Sequence, residues 1–242
     1  FWSASEVSLG YDFRCSEQKI ESTKKFLSKL WNISRFLSSF PVIDLEAVDN
    51  SKATDKWEEY LPPSLTDTDR WILAELEKLI EECKDEYYFC DFFQPATKIR
   101  EFTWNVFAAQ YIEMAKARAY GVGFSDEERD AAIYTLHEVL RTVLKLLAPI
   151  TPFITEQIWQ KLYSKDSIHK ESFPAAKTEP IMVDGKLKYA SRILNDWWEM
   201  TDNIAEFNSN VWNEKKTKNL SLKDSIKIEI PKELERFKKD LV

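Results

Sequence analysis

Residues 24–36 read KKFLSKLWNISRF and carry two helical patterns at once. With the 3.6-residue period of an α-helix, one side gathers the apolar residues that a helix buries, namely Phe26, Leu27, Leu30, Ile33 and Leu37. The opposite side carries a row at i, i+4, i+7 and i+11, formed by Lys25, Lys29, Asn32 and Phe36. The stretch therefore predicts an amphipathic helix whose outer side combines cations, an amide and an aromatic ring.

The outer row has two interpretations. Aromatic planes hold unstacked bases and cations hold phosphates, so the row suits single-stranded RNA. Exposed apolar side chains are also common, so Phe36 could seat a neighbouring helix while the lysines face solvent. The residues alone leave both interpretations open.

The composition favours a helical protein. Glycine occurs 4 times in 242 residues, whereas tight turns and hairpins need Gly or Asn at positive φ. No apolar run approaches the ~20 residues of a membrane span and no signal peptide opens the chain, so we expect no membrane partner. Cys15, Cys83 and Cys90 form no paired framework, which predicts a cytoplasmic protein. The first residue is Phe rather than Met, and we expect a piece of a longer chain.

The net charge of −7 conceals an uneven distribution. Residues 44–91 hold fifteen acids and five bases, whereas residues 14–35 hold six bases and two acids. Residues 214–240 are also basic, with nine bases against six acids. Only the local field matters within a Debye length, so a mildly acidic protein can still bind nucleic acid on a basic face.

Cap and break signals divide the chain into helices. We expect a bundle of five helices, over residues 16–39, from 66 to about 90, from 92 to 120, over 126–148 and from 152 onward. Ser16 is a predicted N-cap, Thr66 or Asp67 is expected to start the second helix, Pro95 lies in a first turn, and Gly121-Val122-Gly123 is the clearest helix stop. Thr151 and Pro152 restart a helix directly after Pro149.

The C-terminal quarter has a different pattern. Residues 173–180 are interpreted as a connection, as are residues 41–64 earlier in the chain. Residues 188–218 are interpreted as another long helix. Residues 225–230 alternate apolar and polar side chains and predict a strand. A short basic helix is expected over residues 232–241. The expected fold class is mainly α, a helical bundle with a small α/β C-terminal appendage.

Catalytic and metal-binding patterns are missing from the sequence. The four glycines form no phosphate-binding loop, and no CxxC or HExxH pattern occurs. His137 lies in a strongly helical run, where a structural hydrogen bond is the expected role. We therefore predict no catalytic residue, no metal site and no cofactor in this chain.

Three motifs together resemble one family. Residues 29–36, LWN.SRF in their core, resemble the helix that opens the anticodon-binding domain of valyl-tRNA synthetases. Trp104, Tyr111-Ile112-Glu113 and Lys116 are similar to the W…YIE..K helix of class I synthetases for valine, isoleucine, leucine and methionine. Residues 146–159, LLAPITPFITEQIW, resemble the LLAP..PF.TEE.W signature of that group, with Gln157 in place of an acid. The opening FWSAS resembles a segment that follows the KMSKS loop, although HIGH and KMSKS are absent.

The resemblance implies recognition of the tRNA(Val) anticodon stem-loop by a C-terminal anticodon-binding region. It places Asn32, Arg35, Phe36 and Ile112 at the anticodon, with Lys25, Lys29 and Lys116 as phosphate contacts. Trp31 and Trp104 are expected in the core. ATP and Mg²⁺ are implied only for a full-length enzyme, whose catalytic domain would be the second partner of a monomeric chain.

The implied domain division has three parts. Residues 1–15 would end the segment after the catalytic domain, residues 16–175 would form the helical anticodon-binding domain, and residues 176–242 the appendage. Two alternatives remain open at this point. One is the equivalent region of an isoleucyl-tRNA synthetase, and the other is a helical docking module that binds no RNA.

Overall fold

The computed structural model of the protein describes residues 1–6, 10, 15–43, 65–175, 178–183, 186–191, 197, 200–221, 224 and 226–241. Its α-helices are α1 (Trp2–Glu6), α2 (Glu17–Leu37), α3 (Asp67–Tyr88), α4 (Phe93–Glu101), α5 (Ile112–Ala119), α6 (Asp126–Leu147), α7 (Pro152–Leu162), α8 (Met200–Thr217) and α9 (Lys238–Leu241). Between α4 and α5 lies a π-helical segment, Phe102–Tyr111, and two 3₁₀ turns cover Ile168–Lys170 and Lys232–Phe237. Strands β1 (Thr178–Val183) and β2 (Lys186–Ser191) pair antiparallel. The predicted mainly α class with a small α/β appendage is confirmed.

The helix boundaries follow from local hydrogen bonds. The Ser16 hydroxyl accepts from the Lys19 backbone N–H at 3.2 Å, as an N-cap does. At α3 the Thr66 hydroxyl accepts from the Asp69 N–H while the Asp69 carboxylate accepts from the Thr66 N–H. The predicted stop is also confirmed, because α5 ends just before Gly121, whose φ of 69° suits glycine. Thr151 precedes α7, but its side chain donates to the Leu147 carbonyl and does not cap.

A long helical rod runs through the middle of the bundle. It consists of α4, the π-helical segment and α5, which follow one another without a break over residues 93–119. Helices α2, α3 and α8 pack against the π-helical segment, and α6 packs against α4 and α5. The rod buries its apolar side chains in a core shared with the other helices; among them are Ile99, Phe107, Tyr111 and Ala115. The rod thus connects the outer elements to one core.

Buried charges join the rod to α3. The Arg118 guanidinium donates to both Asp69 carboxylate oxygens, at 2.8 and 2.9 Å, and both side chains are fully buried. The Tyr111 hydroxyl donates to the same carboxylate at 2.6 Å. Burial alone would lower the pKa of Arg118, but its hydrogen bonds to Asp69 raise that pKa on balance. Removing one member of such a pair leaves an uncompensated buried charge, which costs about 3–5 kcal/mol.

The tail departs from the sequence prediction at two places. Residues 188–191, predicted to start a helix, lie in strand β2, and α8 begins only at Met200. The strands flank Asp184-Gly185, a dipeptide that strongly favours a hairpin, and this signal outweighs the helical pattern. Part of the predicted 173–180 connection is likewise strand β1.

The predicted strand over residues 225–230 is also wrong for residues 226–230, which belong to no sheet. Instead, Ile228 and Ile230 pack against the bundle core, which accounts for their apolar character without a partner strand. Of the predicted connection over residues 41–64, residues 44–64 lie outside the described residues. Of the helices described, none combines the length and the apolar character needed to cross a membrane.

His137 should make the stability of the bundle depend on pH. The imidazole is 2% exposed, and its Nδ1 lies 3.1 Å from the Tyr163 hydroxyl. Burial lowers the pKa of His137 from 6.5 to about 4. The unfolded chain takes up this proton below pH 6.5, whereas the folded chain does so only near pH 4. We therefore expect this residue to reduce the free energy of unfolding as the pH falls through that range, by up to ~3 kcal/mol.

Urea unfolding at several pH values between 7.5 and 4.5 measures this effect. The His137→Gln variant should lose less stability on acidification than the wild type, although it starts from a lower value. His169→Gln removes an exposed imidazole and serves as the control. Parallel pH profiles for His137→Gln and the wild type would contradict the prediction.

Candidate nucleic-acid interface

The predicted outer row of α2 does face away from the core. Of its members, Lys25 and Asn32 are exposed, whereas Lys29 and Phe36 are half-buried; Arg35, beside the row, is exposed as well. The opposite side of the helix is buried as expected, with Phe26, Leu30, Ile33 and Leu37 in the core and Leu27 half-buried against it. The row therefore presents charge and hydrogen-bonding groups to solvent, while two of its members lean on neighbouring helices.

Lys29 leans on Trp104 of the π-helical segment. The Lys29 Nζ lies 5.5 Å from the centre of the Trp104 ring, within cation–π range. Trp104 is 38% exposed, so its predicted core position is wrong. The rings that the π-helical segment buries are instead Phe102, Phe107 and Tyr111, with the centres of Phe102 and Phe107 6.5 Å apart. Trp31 is half-buried against the core, as expected of a large side chain beside the apolar stripe.

Phe36 belongs to an aromatic cluster at the end of the bundle. Its ring centre lies 5.2 Å from that of Phe40 and 6.3 Å from that of Tyr120, and Phe40 and Tyr120 are 5.2 Å apart. Tyr120 directly follows α5 and is 58% exposed. Sequence reasoning missed Tyr120 as a site residue. Its signal was present, because an aromatic side chain directly before a Gly-Val-Gly helix stop lies at an exposed corner.

Ile112 does not join the exposed group. It is 7% exposed and belongs to the core, although the 3.6-residue period of an α-helix would place it off the stripe formed by Phe107, Tyr111 and Met114. The π-helical geometry explains the error: the Ile112 N–H donates to the Phe107 carbonyl, five residues back. Such a turn is wider than 3.6 residues, so Ile112 faces the same side as buried Phe107. A direct contact between Ile112 and a base stays a prediction, and the burial of Ile112 argues against it.

Lys116 is half-buried and already has a partner. Its Nζ lies 2.9 Å from a Glu113 carboxylate oxygen, one turn earlier in the rod. An exposed pair of this kind contributes little stability, so Lys116 can exchange the carboxylate for a phosphate at small cost. Lys29 and Lys116 are thus held by neighbours, whereas Lys25 and Arg35 extend into solvent.

Taken together, α2 and the rod form one surface, which we call the α2–rod face. It consists of six of the seven predicted site residues, all except buried Ile112, together with Trp104 and Tyr120. The six are Lys25, Lys29, Asn32, Arg35, Phe36 and Lys116. Lys29 meets Trp104 of the rod and Phe36 meets Tyr120 directly after it, so two members of the outer row contact the rod or its C-terminal end. Cations, an amide and partly exposed rings on one face can neutralise phosphates and stack bases. Across the described ranges, no group of three or more His, Cys, Asp or Glu side chains is placed to hold a metal ion.

Residues 69–230 match the family model described as the anticodon-binding domain of tRNA ligase. The chain belongs to this family. The match includes the rod, α3, α6, α7 and α8, and it begins at buried Asp69. An anticodon-binding domain with the α2–rod face exposed agrees with the resemblance of the sequence motifs.

Individual relatives extend the similarity over α2. The chain is 32% identical to the valine–tRNA ligase of Aeropyrum pernix and 34% identical to that of Nanoarchaeum equitans, with the whole chain aligned in both cases. It is 37% identical to the valine–tRNA ligase of Pyrobaculum aerophilum over 93% of its length. The chain spans 25–27% of these relatives, or about a quarter of their length.

Truncation of Phe36 should cost stability. A fully buried Phe→Ala change typically costs 3–5 kcal/mol, and Phe36 is only half-buried against Phe40 and Tyr120. We expect Phe36→Ala to lower the free energy of unfolding by about 1–2 kcal/mol in urea titrations. Lys25→Ala on the exposed side should change it by less than ~0.5 kcal/mol. Equal stability of the two variants would show that the Phe36 contacts contribute nothing.

Proposed function

We propose that this chain is the anticodon-recognition part of a valine–tRNA ligase. The exposed α2–rod face carries the proposal, because it lies on a member of the anticodon-binding family and contains the residues that the motif resemblance places at the anticodon. The valine specificity rests on the relatives, which are valine–tRNA ligases aligned over the whole chain. Valine codons are GUN, so the bases to be read are A and C at the second and third anticodon positions.

Each group on the face has a chemical role in this proposal. Phe36 and Tyr120 offer ring surface to an unstacked base, a contact worth about 1–3 kcal/mol per base. Asn32 and Arg35 offer hydrogen bonds to base edges or phosphate. Lys25, Lys29 and Lys116 attract the phosphate backbone. Ile112 supports the face from beneath through its core contacts.

A full-length ligase of this kind would attach valine to tRNA(Val) with ATP and would serve protein biosynthesis. The sequence holds neither HIGH nor KMSKS and no phosphate-binding glycine loop. The residues of this chain therefore do not fit ATP and Mg²⁺, and adenylation would take place in another part of such an enzyme. The proposed partners of this chain are the tRNA(Val) anticodon loop and that catalytic part.

Binding of synthetic anticodon stem-loops tests the proposal. We expect the chain to bind a stem-loop with A and C at the second and third anticodon positions at least about tenfold more tightly than one with A and U. Fluorescence anisotropy with end-labelled RNA measures both dissociation constants. Phe36→Leu, which keeps apolar volume but removes the aromatic plane, should weaken binding of the first stem-loop.

The two alternatives predict different results in the same measurement. Tighter binding to the A-U stem-loop would assign the chain to an isoleucine enzyme. Failure to bind either stem-loop, in a chain that is folded by circular dichroism, would favour a docking module that does not contact RNA.

The salt dependence of binding should report the phosphate contacts. Each phosphate neutralised on single-stranded RNA contributes about −0.7 to the slope of log K against log salt concentration. We expect Lys25→Ala and Arg35→Ala each to reduce the magnitude of the slope by about that amount. Lys84→Ala is the control, since Lys84 is an exposed lysine on α3 whose Nζ lies 3.4 Å from Glu81. A slope unchanged in both Lys25→Ala and Arg35→Ala would remove these residues from the phosphate-binding set.

A further inference from the structure

The C-terminal residues 226–241 are packed onto the bundle. Leu234 and Phe237 are buried, and the Phe237 ring centre lies 6.5 Å from that of Trp71 on α3. Lys239 forms an ion pair with Glu128 at the start of α6. Helix α9 packs directly against α5. This part of the appendage is therefore attached to the rod at the level of α5.

Asp240 makes the most buried polar contact of this attachment. Its carboxylate accepts from the Arg118 Nε at 2.8 Å, and its side chain is 3% exposed. The two terminal nitrogens of Arg118 donate to Asp69, so the guanidinium is shared between α3 and α9. Burial raises the pKa of Asp240, and the positive charge of Arg118 opposes that shift. The Arg118 Nε thus donates to Asp240 while both terminal nitrogens donate to Asp69, so all three nitrogens have protein acceptors.

Arg118 lies on the reverse side of the RNA-facing residues. In an α-helix, residues two positions apart are about 160–200° apart around the axis. Lys116 and Tyr120 are each two positions from Arg118, so both lie opposite to it on the rod. Whatever fixes Arg118 from behind also fixes the angle at which Lys116 and Tyr120 face the RNA.

We propose that Asp240 is a positioning residue for anticodon binding, and that residues 226–241 hold α5 in its RNA-binding orientation without contacting RNA. The inference rests on the function proposed above. If Asp240 loses its charge, the Arg118 Nε faces a weaker acceptor in a buried site, and the remaining Arg118–Asp69 pair can shift. The effect then reaches Lys116, Tyr120 and, through the ring contact, Phe36.

Asp240→Asn and Glu235→Gln form a matched pair of variants. Both remove one negative charge from the same segment, but Glu235 is exposed. We expect Asp240→Asn to raise the dissociation constant for the A-C stem-loop by 5–10-fold relative to Glu235→Gln. The slope of log K against log salt should change by less than one full contact, about 0.7, because Asp240 itself touches no phosphate and Lys116 is displaced and not removed. A change of slope by a full contact would overturn the positioning role.

Hydrogen exchange provides a second readout that needs no RNA. Peptides covering α5 should exchange at least fivefold faster in Asp240→Asn than in Glu235→Gln, whereas peptides covering α7 should not change. Uniform acceleration of both helices would mean a general loss of stability and would overturn the inference. If Asp240→Asn does not fold, Asp240→Glu replaces it, with a smaller effect of the same direction in both measurements.

The outcomes separate the two proposals. If the wild type binds the A-C stem-loop and Asp240→Asn binds equally well, the positioning role is wrong and the proposed function stands. If the wild type binds no stem-loop, the proposed function is wrong and the positioning role for RNA falls with it, whatever the exchange rates are.

Discussion

The structure depends most on the carboxylate of Asp69. Its oxygens accept from the Thr66 backbone N–H and hydroxyl, from the Tyr111 hydroxyl and from two nitrogens of Arg118. A single buried carboxylate therefore caps α3, binds the last residue of the π-helical segment and holds α5. Charge-assisted hydrogen bonds are about twice as strong as neutral ones, and here they satisfy each other in a site without water-facing surface. The bundle is thereby fixed at the point where its three central elements meet.

Under the proposed function, this arrangement separates stability from recognition along the rod. On the inward side of α5, Arg118 pairs with the buried carboxylates of Asp69 and Asp240. On the outward side, Lys116 pairs with the exposed carboxylate of Glu113. A buried pair resists rearrangement because breaking it leaves a desolvated charge, whereas an exposed pair can be exchanged for a phosphate. The same helix can therefore be rigid toward the core and adaptable toward a ligand.

Most of the bundle could be predicted from the sequence, because its helices are marked by caps, by periodic apolar residues and by Gly or Pro stops. The outward direction of Lys25 and Asn32 followed from the same period, whereas that of Arg35 followed only from the family resemblance. The wrong predictions have one cause, because they concern structural features that leave no pattern in the neighbouring sequence. Nothing in residues 102–111 announces a π-helical segment, and that segment rotated Trp104 outward and Ile112 inward. Nothing near Asp69 in the sequence distinguishes it from the other acids of its helix. Its partners Tyr111 and Arg118 both lie more than forty residues away along the chain.

In the proposed function, Phe36 is both a packing residue and a base-stacking residue. Its contacts with Phe40 and Tyr120 immobilise the ring before any base arrives, so less conformational entropy is lost on stacking. Because of the same contacts, its removal would then harm both folding and binding, and melting temperature alone cannot distinguish the two roles. The aromatic plane is the property that separates them, because a leucine can fill the space against Phe40 but cannot stack on a base. The proposed function therefore requires a planar ring at position 36, and an apolar side chain without that plane is not sufficient.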